Sequence, residues 1–346
     1  MASQTTSAST LNIPRIVLGA MTFGLDTTDA ATSSVRVRGP SNVAPFLETF
    51  YAHGHIEVDT ARFYGNGDCE VVLSQLPTAH LTISTKMYPY SAGAHNKENL
   101  PKQFRESLKA LNASKVDILY LHVPDYDTPY EETVKVMDDL YREGLFERFG
   151  LSNYSSWNVA QIYEICKHNG YVLPTVYQGM YNPIARSVTT ELLPCLKHYN
   201  ISFYAYNPIC GGVLSGKYKF GVDPEGTRFD PKTLYGQMAR DWYWNKTNFD
   251  AIATLTTVAT THDLTLLEAT LRWMRHHSGL SSKDGILIGS TSVGQLEESL
   301  TELEKGPLPE EMVKAFDEAW KHVMPSTNWY FRGPDAPKIA FLQREE

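Results

Sequence analysis

Three neighbouring stretches of the sequence decide its fold, namely HIEVDTA (55–61), LTISTKM (81–87) and VDILYLHV (116–123). Each is a short apolar run, rich in Val, Ile and Leu, of the kind that forms a buried β-strand. Each also carries one polar side chain near its end, and these are Asp59, Lys86 and His122. Because an unpaired charge is costly to bury, the three side chains are expected to converge and to satisfy one another.

Five further runs of the same kind complete a set of eight: RIVLGAM (15–21), RFGLSN (148–153), TVYQGMYN (175–182), ISFYAYNP (201–208) and GILIGST (285–291). Stretches with helical spacing separate them, over residues 42–54, 98–111, 129–143, 156–169, 187–199, 248–260 and 293–305. The predicted N-caps of three of these helices are Ser41, Ser155 and Thr247. Strands that alternate with helices pair in parallel, and eight such units predict a closed (β/α)8 TIM barrel.

A doubly wound open sheet is the alternative architecture. Such a sheet usually carries a G-x-G-x-x-G turn after its first strand. The first strand here reads RIVLGAMTFG, and the GNG at 65–67 follows no suitable strand-to-helix turn. The sequence therefore favours the barrel.

Two regions lie outside the eightfold repeat. Residues 209–247 form a long connection after the seventh strand, and connections of that length tend to be functional. Residues 307–346 begin with a helical pattern, PLPEEMVKAFDEAWKHV, and continue into an aromatic tail, NWYFRGP, so that this helix and tail are expected to cover part of the barrel mouth. Apart from a polar tail over about residues 1–12, no linker divides the chain, and residues 1–346 are predicted to form a single domain.

The composition excludes several classes of protein. Among 346 residues, 31 Lys and Arg oppose 39 Asp and Glu for a net charge of -8, without the basic run that nucleic-acid binding needs. No apolar stretch approaches the length of a membrane span, and the polar start MASQTTSAST does not resemble a secretory signal. The four cysteines show no CxxC pairing, which favours free thiols and a cytoplasmic location.

Active sites of such barrels are built at the carboxyl ends of the strands. Tyr64 follows Asp59 there, and Asp59, Tyr64, Lys86 and His122 together form a plausible proton-transfer device. An ammonium beside Tyr64 is expected to lower the pKa of its hydroxyl, so that it donates a proton near neutral pH, while Asp59 holds the lysine charged. His122 is placed to polarise a carbonyl oxygen. Since no side chain delivers hydride, the chemistry would require a nicotinamide cofactor.

Several stretches of the sequence resemble a known protein family. The stretches DTARFYGNGDCE, LTISTKM, VDILYLHVPD, GLSNYSSWNV, TVYQGMYNPI, YAYNPICGGVLSGKYK and IGSTSVGQLEESL are similar to aldo-keto reductases. LPTVYQGMYN, TLRWMRHH and NWYFR resemble the aflatoxin-aldehyde reductase group in particular. The similarity runs in order over about residues 13–332. It implies reduction of a small-molecule aldehyde or ketone by NADPH, on a barrel without a Rossmann domain.

The resemblance also assigns residues. It makes Tyr64 the proton donor, Asp59 and Lys86 its tuning pair and His122 the residue that orients the carbonyl. It implies that the nicotinamide carboxamide is bound by Ser152, Asn153 and Gln178, with Tyr206 as a platform for the ring. Asp59 is implied as a further cofactor contact. The remaining implied contacts are Asn207, Pro208, Gly211, Gly212, Leu214, Gly216, Lys217 and Arg228 toward the diphosphate, and Ser290, Thr291, Ser292, Gln295 and Glu298 toward the adenosine.

The segment MARDWYW departs from the group in a way that bears on the substrate. Where the group carries a tyrosine and an arginine used on acidic aldehydes, this chain has Ala239 and Trp242. Arg332 still matches a second arginine that contacts substrate, so the implied substrate contacts are His122, Trp242 and Arg332. An aromatic entrance suited to a larger, flatter carbonyl compound is expected from Trp242, Tyr243, Trp244, Tyr330 and Phe331.

Some questions stay open at the level of sequence. STSVGQLEES contains neither Arg nor Lys for a 2′-phosphate, so NADPH is expected from the resemblance and not from local chemistry. Whether the chain forms a homodimer is also open. Potassium-channel β subunits share the same four catalytic residues and are the alternative, as cofactor-sensing binding proteins. A metal hydrolase is a third alternative, but the histidines of HGH (53–55) precede their strand and therefore lie at the structural face; no metal site is expected.

Overall fold

The computed structural model of the protein, which describes residues 12–29 and 33–335, contains a closed barrel of eight parallel strands. All eight predicted strands are present, and the (β/α)8 architecture is confirmed. Two-residue strands β2 and β3 lie outside the barrel and were not predicted from the sequence. The strand bounds are β1 Arg15–Gly19, β2 Phe23–Gly24, β3 Val37–Arg38, β4 Glu57–Asp59, β5 Thr82–Met87, β6 Val116–Leu121, β7 Phe146–Ser152, β8 Pro174–Met180, β9 Ser202–Tyr206 and β10 Gly285–Ile288.

The register of the barrel brings the polar strand ends to one rim. β1 closes the barrel by pairing with β4 on one side and with β10 on the other. Asp59 is the last residue of β4, and Ser152, the last residue of β7, is level with Gln178 of β8. Beneath this rim, the barrel interior is filled by an apolar cluster of Val17, Ile118, Tyr120, Val176, Tyr204 and Leu287. The rim is thus the place where polar side chains can meet above a closed core.

The helices surround the barrel and bury their apolar faces against the strands. Three lie outside the helical stretches named above: the short helix after Tyr64, a helix inside the long connection that follows β9, and the helix that precedes β10. The helix bounds are α1 Pro40–Ala52, α2 Asp68–Ser74, α3 Asn99–Leu111, α4 Tyr130–Arg142, α5 Ser156–Asn169, α6 Leu192–His198, α7 Leu234–Tyr243, α8 Lys246–Thr261, α9 Leu266–His276, α10 Val293–Glu304 and α11 Glu310–Val323.

Of the three predicted N-caps, one is confirmed and two are wrong. The hydroxyl of Ser155 accepts a hydrogen bond from the Asn158 amide at 3.3 Å and caps α5. Ser41 lies inside α1, because the fixed φ of Pro40 starts that helix two residues before the predicted start, with Gly39 as the N-cap. Thr247 lies inside α8, whose cap is Asn245, and the side-chain oxygen of Asn245 accepts from the Asn248 amide at 2.9 Å.

The C-terminal region only partly covers the barrel mouth. Helix α11 packs on the outside of the barrel, where the Phe316 ring lies 6.2 Å from that of Trp273, so the expectation that it covers the mouth is wrong. The tail does reach the mouth, since the Arg332 amide donates to the Asn153 carbonyl at 2.9 Å and the Tyr126 hydroxyl donates to the Arg332 carbonyl at 2.8 Å. The ends of the predicted tails, residues 1–11 and 336–346, lie outside the described residues.

Two general properties complete the fold. Within residues 12–29 and 33–335, no helix is both long enough and apolar enough to cross a bilayer. The four cysteines, at positions 69, 166, 195 and 210, are free thiols, as predicted.

The HGH segment at the amino-terminal side of β4 carries a pH-sensitive contact. Nδ1 of His53 lies 2.7 Å from a carboxylate oxygen of Glu304, and its Nε2 lies 3.2 Å from one of Glu297. The hydrogen bond with Glu304, followed by that with Glu297, raises the pKa of His53 against the opposing effect of burial. The His53 ring thereby links the end of α1 to α10.

We expect His53→Gln to destabilise the protein more at acidic than at alkaline pH. A folded-state pKa above the unfolded value of about 6.5 contributes stability that is fully present below that value and is lost as pH rises through the folded pKa. The expected loss is at most about 1 kcal/mol, because the two partners are largely exposed. Urea unfolding over a pH series measures it. Glu304→Gln should flatten the same profile, and a pH-independent difference would contradict the assignment.

Candidate active site

A cavity of about 660 Å³ opens at the carboxyl-terminal rim of the barrel. It brings together most of the site residues predicted from the sequence. These are Asp59, Tyr64, His122, Ser152, Asn153, Gln178, Tyr206, Asn207, Pro208, Gly211, Gly212, Lys217, Arg228, Trp242, Ser290, Thr291, Gln295, Glu298 and Arg332.

Four predicted residues are not on the cavity wall. Lys86 is fully buried beneath it, where it contacts Tyr64. Leu214 is also fully buried, and Gly216 lies beyond the wall with a φ of 73°. Ser292 is the N-cap of α10, where its hydroxyl accepts from the Gln295 amide at 3.3 Å. The cofactor contacts expected of Leu214, Gly216 and Ser292 therefore stay predictions.

The buried centre of the site is a lysine held between a carboxylate and a phenol. Nζ of Lys86 lies 2.5 Å from Oδ2 of Asp59 and 2.9 Å from the carbonyl oxygen of Thr60. It also donates to the Tyr64 hydroxyl at 3.3 Å. Gln178 donates to the other carboxylate oxygen of Asp59 at 2.8 Å. Because each charge has close polar partners, the cost of burying the pair is offset.

Burial and charge set the protonation of this centre. Burial raises the pKa of the Asp59 carboxyl and lowers that of the Lys86 ammonium, while the mutual attraction of the pair opposes both shifts. Burial, and then the charge of Asp59, raise the pKa of Tyr64 well above its usual value of about 10. The sequence-based expectation of a lowered tyrosine pKa does not hold in this structure, because burial of the phenol has the largest effect and the charge of Asp59 adds to it. Tyr64 is a protonated phenol with a hydrogen to donate.

His122 faces the same point of the cavity. Its ring centroid lies 5.9 Å from that of Tyr64, with the two planes nearly perpendicular at 88°. Burial, followed by the charge of Lys86, lowers the pKa of His122 well below its usual range, so the ring is a neutral imidazole at pH 7. Its Nδ1 is buried without a hydrogen-bond partner among the described residues. A neutral imidazole can donate one hydrogen bond without adding a charge to the site.

A hydrogen-bonded row follows the rim from β6 to β9. The side-chain amide of Asn153 donates to the His122 carbonyl at 2.9 Å and to the Ser152 hydroxyl at 3.0 Å. The Tyr206 hydroxyl donates to the side-chain oxygen of Asn153 at 2.8 Å. This row ties the backbone of His122 to the Tyr206 ring, so that Asn153, with a left-handed φ of 62°, holds the rim together.

The connection after β9 forms the roof of the cavity. Gly211 and Gly212 have φ angles of 65° and 111°, which favour glycine and expose the backbone to the cavity. Arg228 lies directly over them, since a Cβ on Gly211 would come within 2.9 Å of its Nε. The Asn207 amide donates to the Tyr243 hydroxyl at 3.1 Å and links this connection to the end of α7.

The fold of this connection depends on one glycine of α7. A Cβ on Gly236 would overlap the carbonyl oxygen of Asp230 and lie 2.8 Å from the hydroxyl of Thr233, which caps the helix. We expect Gly236→Ala to displace residues 226–233 and to cost about 1–3 kcal/mol. Thermal unfolding and limited proteolysis of the connection measure the effect. Gly294→Ala in α10 is the matched control, because nothing lies within 4 Å of its Cβ, and equal effects of the two substitutions would contradict the prediction.

At the other end of the cavity lies the start of α10. Gln295 accepts from the backbone amide of Thr291 at 3.1 Å and from its hydroxyl at 3.0 Å. The hydroxyl of Ser290 is buried and has no hydrogen-bond partner among the described residues, so it can bond to a ligand. Ser290, Thr291, Gln295 and Glu298 thus lie together at one end of the cavity, as predicted.

The expected aromatic entrance is largely wrong. Of its five members, only Trp242 lines the cavity. Tyr243 is buried with its hydroxyl toward Asn207, and Tyr330 is buried with its hydroxyl toward Glu191. Trp244 packs on Phe229 and Phe249, and Phe331 packs on its two aromatic neighbours in the tail. These side chains stabilise the fold and are not on the cavity wall.

Other aromatic residues, which sequence reasoning missed, form the wall beside the tyrosine. Phe63, Tyr88 and Tyr235 line the cavity, and the Phe63 and Tyr88 rings lie 5.9 and 5.5 Å from that of His122. A signal for part of this wall exists in the sequence, since Tyr235, Met238, Ala239 and Trp242 have the spacing of one helix face and all line the cavity. Arg36, another cavity residue, had no such signal.

The carboxyl rim of this parallel barrel carries a buried Asp–Lys pair, a protonated tyrosine and a neutral histidine. Such a site is typical of oxidoreductases that reduce carbonyl compounds. The sequence comparisons agree: the Aldo/keto reductase family matches residues 15–321, and the chain belongs to that family. It is 42% identical to human aldo-keto reductase family 7 member A3 over 92% of this chain and 97% of that one. It is also 42% identical to mouse aflatoxin B1 aldehyde reductase member 2, over 92% and 88% of the two chains. An aldo-keto reductase of Pseudocercospora fijiensis shares 44% identity over 82% of this chain and 99% of its own.

Proposed function

We propose that the protein reduces a bulky or aromatic aldehyde or ketone with NADPH and that Tyr64 donates the proton. The observation that carries this proposal is the Lys86 ammonium, which lies between the Asp59 carboxylate at 2.5 Å and the Tyr64 hydroxyl at 3.3 Å at the base of the cavity. This arrangement combines a proton donor with a buried charge that can stabilise its conjugate base.

The cavity fits a nicotinamide dinucleotide. It has an open glycine backbone at Gly211 and Gly212, an unpartnered hydroxyl on Ser290, and cationic side chains at Lys217 and Arg228. The ring platform would be Tyr206, beside the amide groups of Asn153 and Gln178. When bound, the reduced nicotinamide supplies the hydride that no side chain can supply.

The chain's own residues account for the proton and for binding of the carbonyl. The hydroxyl of Tyr64 and the imidazole of His122 donate hydrogen bonds to the carbonyl oxygen, which gains negative charge as the carbon is reduced. Tyr64 then transfers its proton to that oxygen, and Lys86 stabilises the phenolate that forms. Asp59 keeps Lys86 charged and in position, and His122 remains neutral throughout.

The dimensions and chemistry of the wall support a bulky or aromatic substrate. Phe63, Tyr88, Tyr235 and Trp242 line the cavity, and aromatic walls suit flat apolar compounds. Arg332 stacks over Trp242 with its guanidinium 5.5 Å from the ring, and it can bind one polar or acidic group of the substrate. The preference for NADPH over NADH is supported by the similarity to the aldehyde reductases and not by a basic residue near Thr291.

A screen of carbonyl compounds that follows NADPH absorbance tests this function. Aromatic and polyketide-like aldehydes and ketones are expected to be turned over at about one per second or faster, and better than succinic semialdehyde. NADPH binding without such turnover would favour the alternative, a cofactor-sensing binding protein. Failure to bind either NADPH or NADH would refute the proposal.

A further inference from the structure

The connection between β1 and α1 contributes a cation to the cavity. Arg36 lies on this connection, is half-buried and lines the cavity with Ser34. The backbone amides of Arg36 and Val37 both donate to the Thr22 carbonyl, at 2.8 and 2.9 Å, and the Ser34 hydroxyl donates to the Met21 carbonyl at 2.8 Å. The segment that carries Arg36 is therefore bonded to the end of β1 and held in place.

The guanidinium of Arg36 is itself positioned. One of its terminal nitrogens donates to the carbonyl oxygens of Val35 and Ser33, at 2.8 and 3.3 Å. No carboxylate of the residues at 12–29 and 33–335 lies within ion-pair distance of Arg36. Burial lowers the pKa of Arg36 and Asp230 opposes this shift, but the two oxygens of Asp230 already accept hydrogen bonds from the backbone amides of Gly226 and Lys232, at 2.8 and 2.9 Å. Among the described residues, Arg36 therefore has no ion-pair partner.

Arg228 shares this situation on the connection after β9. It lines the same cavity, lies over the exposed backbone of Gly211 and likewise has no carboxylate partner among the described residues. In the barrel order only β10 separates β1 from β9, so the two connections approach each other above the end of that strand. Burial, and among charged groups also Arg36, lowers the pKa of Arg228, as expected for two guanidinium groups that lack an anion.

The local charge contrasts with that of the whole chain. The protein carries a net charge of -8, yet the cavity wall bears Arg36, Lys217, Arg228 and Arg332 against Asp59 and Glu298. Asp59 is already paired with Lys86. Two guanidinium groups without a carboxylate partner among the described residues, one of them beside the backbone of Gly211, are a donor set that can bind a phosphate, because each can make charge-assisted hydrogen bonds to its oxygens.

We propose that Arg36 binds the diphosphate of the nicotinamide dinucleotide together with Arg228, so that residues 33–38 form a second phosphate-binding segment of the cavity. The inference rests on the proposed function, since it presupposes a dinucleotide in the cavity. The diphosphate is favoured over the 2′-phosphate because Arg36 lies in the field of Arg228 and of the 226–232 turn. A phosphate there would neutralise both guanidinium groups at once.

The test compares Arg36→Gln with Arg38→Gln by titrating NADPH and NADH against intrinsic tryptophan fluorescence, without a carbonyl substrate. Arg38 is the matched control, because it lies on the same segment but not on the cavity wall. Arg36→Gln should raise the dissociation constants of both nucleotides by a similar factor, roughly tenfold to a hundredfold, which is the usual effect of losing a charge-assisted hydrogen bond. It should also make the dissociation constants less sensitive to salt. Arg36→Lys should recover part of the affinity, and Arg38→Gln should bind as the parent does.

Other outcomes overturn the inference in distinguishable ways. If the parent protein binds both nucleotides and Arg36→Gln binds them with unchanged affinity, the role of Arg36 is refuted, while the proposed function stands. Weakened binding of NADPH but not of NADH would place Arg36 at the 2′-phosphate and refute the diphosphate assignment. A parent protein that binds neither nucleotide would refute the proposed function and this inference with it. Thermal unfolding of each variant checks that the fold is retained.

Discussion

Replacement of Tyr64 by Phe is expected to lower the rate of carbonyl reduction by about 10²–10⁴-fold, the usual contribution of a positioned general acid. The substitution removes the hydroxyl group of Tyr64. In the parent protein this hydroxyl keeps its proton, because its surroundings raise the pKa of the phenol. It leaves the Asp59–Lys86 pair in place at 2.5 Å. The loss should therefore appear in kcat, while the affinity for the nucleotide, measured by fluorescence titration, stays close to that of the parent.

Tyr181→Phe is the matched control for the loss of a buried hydroxyl. The Tyr181 hydroxyl donates to the Ser278 carbonyl at 2.8 Å and does not line the cavity. This variant should lose about 1 kcal/mol of stability and keep its activity. Full activity of Tyr64→Phe would refute the assignment of the proton donor.

Replacement of Lys86 by Met is expected to have the second large effect, on stability as well as on turnover. It leaves the Asp59 carboxylate, 3% exposed, without its ion-pair partner, and breaking a buried pair in this way costs about 3–5 kcal/mol. Burial already raises the pKa of Asp59, and the loss of Lys86 removes the main opposing effects. The folded-state pKa then lies above the unfolded value of about 3.9, so the variant is most stable at acidic pH and loses stability as pH rises.

Urea unfolding as a function of pH measures this effect, and a double variant separates charge from packing. Asp59→Asn combined with Lys86→Met removes both charges and should recover most of the stability at neutral pH, but none of the activity. Lys135→Met is the control for an exposed pair: Lys135 binds Asp139 one turn along α4, and exposed pairs of this kind contribute little. If Lys86→Met destabilises the protein equally at all pH values, the explanation by an unpaired Asp59 carboxylate is wrong.

The barrel and its catalytic centre could both be predicted because their signals are local. The strand runs around Asp59, Lys86 and His122 are each apolar, and a polar side chain near the end of each is conspicuous against Val, Ile and Leu. Parallel pairing then brings such strand ends to one rim without further information. The caps were predicted less well: Ser41 and Thr247 are residue types that favour the N-cap position, but α1 begins at Pro40 and α8 is capped by Asn245.

The walls of the cavity could not be predicted in the same way. Trp242 and Tyr243 are neighbours on α7, yet one lines the cavity and the other is buried beneath the connection. Which of two adjacent aromatic rings faces a ligand depends on the direction in which the helix packs. The connections that cross the rim set that direction, and their path has no periodic signal.

The sequence by itself thus determined the eight-stranded barrel, the family and the set of residues at its carboxyl rim, because these depend on strand periodicity and on the chemical contrast at strand ends. Only the tertiary structure decided that Tyr64 is held as a protonated phenol and that Arg36 joins Arg228 at the cavity. Protonation depends on burial and on the summed field of distant charges, and the position of Arg36 depends on how two separate connections meet above β10. Neither is a property of any single stretch of the chain.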